Sequence, residues 1–236
     1  MSIRFARPED AVLLPAIERS AAAVFRAAPG LAWIADDAVM SEYAHRRLIA
    51  QGTVWVAQDA ERVCGFLCAE RFDDDLHVWE LAVDADHQRM GLGQRLVQAA
   101  CGHAAAAGLS AVTLTTFRDL AWNAPWYARM GFREETALPG TRLYAVLQAE
   151  ARHGLPAQRR VAMRRLSDAN TARSDAPASV SGSRSSDNDG DSAGIDERLL
   201  VHNATPSLLG RGFAGGYCRQ ATSACVLPLL LPGSGN

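Results

Sequence analysis

Val83-Asp84-Ala85-Asp86-His87-Gln88-Arg89-Met90-Gly91-Leu92-Gly93 joins a stretch that reads as a strand, Leu76 to Val83, to one that reads as a helix, Gly91 to Ala107. In the helical stretch Leu92, Leu96, Val97, Ala100 and Ala104 recur on one side, and Gly108 closes it. A strand, a polar loop and closely spaced glycines that open a helix suit an anionic phosphate. The first N–H groups of a helix have no internal partner, and that end carries roughly +0.5 of a charge. Glycine at 91 and 93 lets the backbone approach a ligand and take positive φ. Arg89 offers a direct charge contact.

Two other phosphate motifs fit poorly. A dinucleotide-binding turn wants a third glycine, where this chain has Leu96, and wants its glycines at the strand end, whereas residues 84–90 intervene here. A P-loop ends in Gly-Lys-Ser/Thr, but all 24 basic residues of this chain are Arg. A helix start that binds nothing is the plain alternative.

Outward from this loop, residues 3–7 alternate as a first strand, and Arg7-Pro8-Glu9-Asp10 reads as a helix start. Leu13, Leu14, Ile17, Ala21, Val24 and Phe25 follow at helical spacing, and a second helix covers Ser41 to Gln51 before Gly52. Thr53 to Gln58 and Val63 to Phe72 are strands joined by a turn at 59–62, and Asp73-Asp74-Asp75 reads as a solvated turn rather than a metal site. Val112 to Thr116 reads as a buried strand, Asn123 to Met130 as a short helix stopped by Gly131, and Arg142 to Leu147 and Arg160 to Arg165 as two late strands. Strands grouped first and βαβ-like alternation afterwards predict an α/β fold, a mixed sheet with helices on its faces.

Composition narrows the function classes. The chain has 236 residues, 48% of them apolar, with a formal net charge of -2, so no basic field points to nucleic acid. Its apolar runs, such as Val226 to Leu231, are far short of the ~18 residues of a membrane span, and the N-terminus does not read as a signal peptide. The five cysteines include no CxxC pair and the six histidines show no ligand spacing. These features predict a cytoplasmic protein without a metal. Thr171 to Gly194 contains no Leu, Ile or aromatic residue, so residues 167–236 are expected to form a disordered C-terminal tail behind a domain at 3–166.

Gln88-Arg89-Met90-Gly91-Leu92-Gly93 resembles the Q/R-x-x-G-x-G/A motif of GNAT N-acetyltransferases, and Asn123-Ala124-Pro125-Trp126-Tyr127-Ala128-Arg129-Met130-Gly131-Phe132 resembles that family's N-x-x-x-x-Y-x-x-x-G-F segment. Leu114 to Asp119 and Pro156 to Arg165 are also similar to a bacterial branch of the family. The resemblance covers residues 3–166 and implies a central mixed, mostly antiparallel sheet flanked by helices on both faces. It implies acetyl-CoA as co-substrate. Gln88, Arg89, Met90, Gly91, Leu92 and Gly93 would hold its pyrophosphate, Leu81, Ala82 and Val83 would pair with the pantetheine arm, Asn123 would contact the cofactor, and Tyr127 would be general acid. The expected partner is an amine acceptor, a small molecule or a peptide, and a homodimer is allowed.

Acetylating an amine first requires its deprotonation, which for a pKa near ~10 costs roughly 4 kcal/mol at neutral pH. Glu80, on the pantetheine strand, is the preferred base, with an ordinary solvent-facing strand residue as the plain alternative. His77 is the other candidate. By strict alternation it faces the opposite side, so only one of the two reaches the cleft unless a bulge intervenes. A backbone N–H near Val83 would meet the oxyanion, and Tyr127 would protonate the leaving thiolate. Packing beside Trp126 is the plain alternative for Tyr127, and the five tryptophans read as core more than as an acceptor pocket. The rival function is a non-catalytic acyl-CoA-binding module acting as a sensor or partner subunit.

Overall fold

The apolar alternation of residues 54–83 becomes three antiparallel strands at the centre of the computed structural model, which describes residues 1–167. In full, β1 (Ser2–Phe5), β2 (Val54–Asp59), β3 (Arg62–Phe72), β4 (Asp75–Val83), β5 (Ala111–Phe117), β6 (Arg133–Glu135) and β7 (Arg160–Leu166) form one sheet in the order β1-β2-β3-β4-β5-β7-β6. Among the described residues only β4 and β5 run parallel; every other neighbouring pair is antiparallel. The helices are α1 (Leu14–Ala22), α2 (Glu42–Ala50), α3 (Leu92–Ala106), α4 (Ala124–Arg129) and α5 (Arg142–His153). The mixed, mostly antiparallel sheet between helices is the architecture that the sequence predicts.

Each face of the sheet carries its own apolar core. Leu76, Val78, Leu81 and Val83 of β4 pack with Leu92, Leu96 and Val97 of α3 and with Trp126 and Tyr127 of α4 on the first face. On the second, Val54, Val56 and Phe66 pack with Leu14 and Ile17 of α1 and Leu48 of α2. Each fully buried Leu, Ile or Phe contributes roughly 1.5–3 kcal/mol. Ser41 starts α2 by accepting the Ala44 N–H on its Oγ at 3.2 Å.

A bulge sets the side chains of β4. Cys68 pairs with Glu80, but Ala69 pairs with Val78, so Trp79 is the extra residue. Val78 and Leu81, three apart, consequently lie in the same core. Trp79 and Ala82 belong to the opposite face, and alternation puts Glu80 there too. The bulge thus brings His77 and Glu80 to one face instead of dividing them.

Three expectations change. Residues 142–147 are the start of α5 and not a strand. Thr141 Oγ1 accepts the Tyr144 N–H, Gly154 ends the helix at φ 111°, and Leu143 and Glu150, two turns apart, face inward. The short Leu-Tyr-Ala-Val-Leu run suited either structure; the helix-forming Gln148-Ala149-Glu150-Ala151-Arg152 beyond it decides. β6 was not foreseen, because Arg133-Glu134-Glu135 carries no apolar residue. Asp75 is not part of a solvated turn: it opens β4 and holds Arg164 through two 2.9 Å bonds. The expected tail lies outside the described residues. Among these, no helix is long and apolar enough to cross a membrane.

Candidate active site

β4 and β5 pair only over Asp75–Val78 and Ala111–Leu114. Beyond that, β4 stays with β3 as far as Val83, and β5 stays with β7 as far as Phe117, so the two parallel strands part. Parted strands direct unspent peptide groups into the gap. Asp84 N donates to Cys64 O on the β3 side at 2.9 Å, so alternation turns the peptide groups of Val83 and Leu81 towards the gap. The Val83 carbonyl accepts Gln88 Nε2 at 3.2 Å, which braces the loop that follows.

That loop is shaped by local bonds. Ala85 N donates to Ser20 Oγ at 3.1 Å and Asp86 N to Asp84 Oδ1 at 3.1 Å. Arg89 takes φ 64° and Gly91 φ 76°. Left-handed backbone is costly for an arginine, so the loop is held in this shape by its surroundings. A Cβ at Gly91 would meet nothing within 4 Å, so the need for glycine there is conformational. The first bond inside α3 runs from Arg95 N to Gly91 O at 3.1 Å, which leaves the N–H groups of Leu92, Gly93 and Gln94 without a helical carbonyl. Leu92 and Gly93 are buried, while Arg89 and Met90 are exposed.

Asn123 and Tyr127 stand on the other side of the gap. The Asn123 carbonyl accepts the N–H groups of Trp126 and Tyr127, at 2.8 and 3.0 Å, and its Nδ2 donates to Thr116 Oγ1 of β5 at 2.8 Å. Asn123 therefore fixes α4 to β5, a structural task the sequence reading did not assign to it. Tyr127 is 0% exposed, with edge-to-face contacts to Trp126 and Phe132. Its hydroxyl has no hydrogen-bond partner among the described residues. Burial pushes this phenol well above its usual pKa, and Glu80 and Cys101 push the same way, so Tyr127 lies within electrostatic reach of Glu80.

Glu80 is 3% exposed, which removes the reading of a solvent-facing strand residue. Burial raises the Cys68 thiol well above its usual range, followed by the charges of Glu80 and Glu18. His77 is buried, sits 3.0 Å from Thr113 Oγ1 through Nδ1, and packs edge-on to Trp79 at 4.5 Å. Burial, and then Arg142, lower its pKa well below the usual value, so it is neutral.

Glu18 and His45 were not anticipated. Glu18 accepts the Met40 N–H at 3.1 Å, and burial pushes its pKa up to about 8. His45 Nε2 lies 3.8 Å from it; neither ring nitrogen hydrogen-bonds among the described residues, and burial lowers its pKa to about 4. The signal was available: Glu18 sits with Leu14, Ile17 and Ala21 on the apolar stripe of α1. The tryptophans divide, with Trp55 and Trp126 in the core, Trp79 and Trp122 half-buried against the second face, and Trp33 exposed.

Residues 50–134 match the acetyltransferase (GNAT) domain family. Among solved structures, the chain is similar to the PaiA N-acetyltransferase of Thermoplasma acidophilum in complex with coenzyme A. The identity is 15% and the TM-score 0.53, over 70% of this chain and 98% of that one. It is also similar to the ribosomal-protein-alanine N-acetyltransferase of Brucella melitensis, at 19% identity and TM-score 0.50, over 70% and 99%. A third likeness is to the N-acetylglutamate synthase of Neisseria gonorrhoeae complexed with coenzyme A and N-acetyl-glutamate, at 19% identity and TM-score 0.53. It covers 70% of this chain and 35% of that one. At these identities the likeness is one of fold. Residues 50–134 thus match the acetyltransferase (GNAT) domain family and lie within a seven-stranded body of GNAT-like fold.

Proposed function

We propose that the chain transfers an acetyl group from acetyl-CoA to a primary amine of a small molecule or peptide by direct attack on the thioester. One observation carries the reading: the buried, unbonded hydroxyl of Tyr127 feels the carboxylate of Glu80 where β4 and β5 part. An orphaned buried hydroxyl costs stability, so its persistence fits a bound partner that satisfies it. The fit to acetyl-CoA rests on three features. The start of α3 presents N–H groups and the Arg89 charge to a pyrophosphate. The open edge at Leu81, continued by the Val83 carbonyl once Gln88 releases it, offers strand-like pairing to the amide groups of pantetheine. Ala82 packs into the second face and anchors that edge.

In the reaction Glu80 accepts the proton of the ammonium, directly or through one water. The amine nitrogen forms the C–N bond at the thioester carbonyl, and the Val83 N–H stabilises the oxyanion. The C–S bond then breaks with its electron pair on sulfur. Tyr127, kept protonated by burial, hydrogen-bonds the departing thiolate and yields its proton to it, while the second proton of the attacking nitrogen returns to the phenolate and leaves a neutral amide. His77, bonded to Thr113, is assigned no proton transfer. The acetyl-CoA site and these roles rest on the fit of the residues and on the family resemblance.

Thermal unfolding with and without acetyl-CoA, followed by thiol release across a panel of primary amines, tests the proposal. A raised midpoint and amine-dependent thiol release are expected. Stabilisation without turnover on any amine would favour the non-catalytic acyl-CoA-binding module, and no stabilisation would overturn both readings.

A further inference from the structure

Residues 28–40, which join α1 to α2, run over the second face of the sheet, the face of Glu80, and are fastened on both sides of the β4–β5 gap. On the β4 side, Glu18 holds the Met40 N–H, and Glu18 and Glu80 both act on Cys68. On the β5 side, Asp37 Oδ2 meets His153 Nε2 of α5 at 2.7 Å. The Trp33 ring lies 6.0 Å from the His153 ring and 4.0 Å from where a Cβ of Gly154 would stand. Arg159 makes a third link. Its Nη1 donates to Pro29 O at 2.9 Å and its Nε to Asp119 Oδ2 at 2.7 Å, tying the segment to the loop after β5. α5 is itself anchored to β5, since Thr115 Oγ1 donates to Glu150 Oε1 at 2.5 Å.

We propose that this segment, bolted to α5 through Asp37–His153 and Trp33, roofs the amine side of the gap and restricts the acceptor to small primary amines, excluding amines carried on a long chain. The inference rests on the acetyltransferase reading of the gap. A phosphate group enters at the start of α3, from the first face, so the amine approaches Glu80 from the second. A long chain needs continuous passage out of the site, and the links to His153, Pro29 and Asp119 bridge the two walls between which it would run. Opening them requires several hydrogen bonds and the Trp33 contact to break together.

The test uses the full chain, its His153→Ala variant and, as a second way to loosen the same joint, Trp33→Ala. Small primary amines are each compared with the same amine attached to a polyethylene glycol chain, by thiol release from acetyl-CoA. The tethered amine is expected to be at least about tenfold slower in kcat/KM with the unaltered chain, and both variants to recover most of that loss with little change for the free amine. Equal turnover of free and tethered amines by the unaltered chain would overturn the proposal. Iodoacetamide labelling, resolved by mass spectrometry, supplies a readout independent of catalysis. Cys68, beneath the roof, should react faster in both variants, while Cys101, on the α3 face, keeps its rate. Unchanged Cys68 rates would also overturn it. Faster Cys68 labelling with no turnover of any amine would sink the acetyltransferase reading and its acceptor limit, and leave the roof.

Discussion

Cys68 on β3 stands opposite Glu80 on β4, and the next pair along the ladder is Ala69 with Val78. That one-residue slip at Trp79 places the Glu80 carboxylate on the face of α1 and α2, against the Cys68 thiol. Reversal of every later side chain is what an extra residue does to a strand of period two.

Glu80→Gln keeps the shape and removes the base. Turnover should fall by about 10²-fold or more, within the usual range for a general base, while acetyl-CoA still raises the unfolding midpoint. Steady-state kinetics beside thermal unfolding decide this, and unchanged kcat would remove Glu80 from the mechanism.

Tyr127→Phe separates catalysis from stability. The hydroxyl has no partner among the described residues, so its loss should leave the unfolding midpoint level or slightly raised. Turnover should fall by about 10²-fold. A large loss of stability would show that the hydroxyl is bonded within the free protein.

Gly91→Glu tests the loop. A side chain at φ 76° costs roughly 1 kcal/mol or more, and the carboxylate repels phosphate. Acetyl-CoA at ~100 times its dissociation constant should add about 2.7 kcal/mol to the unaltered chain and nothing to the variant. Equal stabilisation of both would place the ligand elsewhere.

Glu18 makes stability fall with rising pH. Its folded pKa, about 8, lies above its ordinary 4.5, so the folded state holds a proton that the unfolded state releases. This contribution is complete below 4.5 and is lost as the pH rises through about 8. His45 works the other way: its pKa falls from 6.5 to about 4, so its contribution is present above 6.5 and lost as the pH falls through 4. Between pH 6.5 and 8 only Glu18 of this pair still changes the balance, by about 2 kcal/mol in order of magnitude. Denaturant unfolding should show that slope in the unaltered chain and a weaker one in Glu18→Gln; identical slopes would clear Glu18.

Glu150→Ala takes the carboxylate away from a buried guanidinium. Arg160 is 1% exposed in its side chain and donates to Glu150 at 2.8 and 2.9 Å. Removing the carboxylate should cost about 3–5 kcal/mol. A loss below 1 kcal/mol in denaturant titration would mean that the Thr115 hydroxyl and the Phe117 ring suffice to hold Arg160.

Much of the fold could be read from the chain because the deciding residues act locally. Gly91 and Gly93 mark a backbone conformation, Gly108 and Gly131 mark helix ends, and the strands from 54 to 83 declare themselves by their apolar alternation. The loop, the open strand end and the short helix of Tyr127 lie around one gap, as their motifs suggest; their roles await the experiments above. What was hidden depends on register and long-range pairing. Nothing about Trp79 announces a bulge, so the faces of His77 and Glu80 could not be known. Glu134 acquires its strand only because β7 arrives beside it, and Arg142 to Leu147 fits two periods until its continuation is read.

α5 also changes how the sheet's edge is assembled. Among the described residues β6 touches the sheet through β7 alone, and residues 136–159 separate these two neighbours where a tight hairpin turn would have sufficed. Pairing β6 with β7 therefore closes a long loop, with a larger entropy loss than a hairpin turn would bring, while β7 pairs with β5 across seven register pairs. The edge is the part of the sheet that can come away with the least damage to the rest, and the chain between Thr136 and Thr141 is the place to open it: a permuted protein cut there would keep both apolar cores and the gap between β4 and β5 whole.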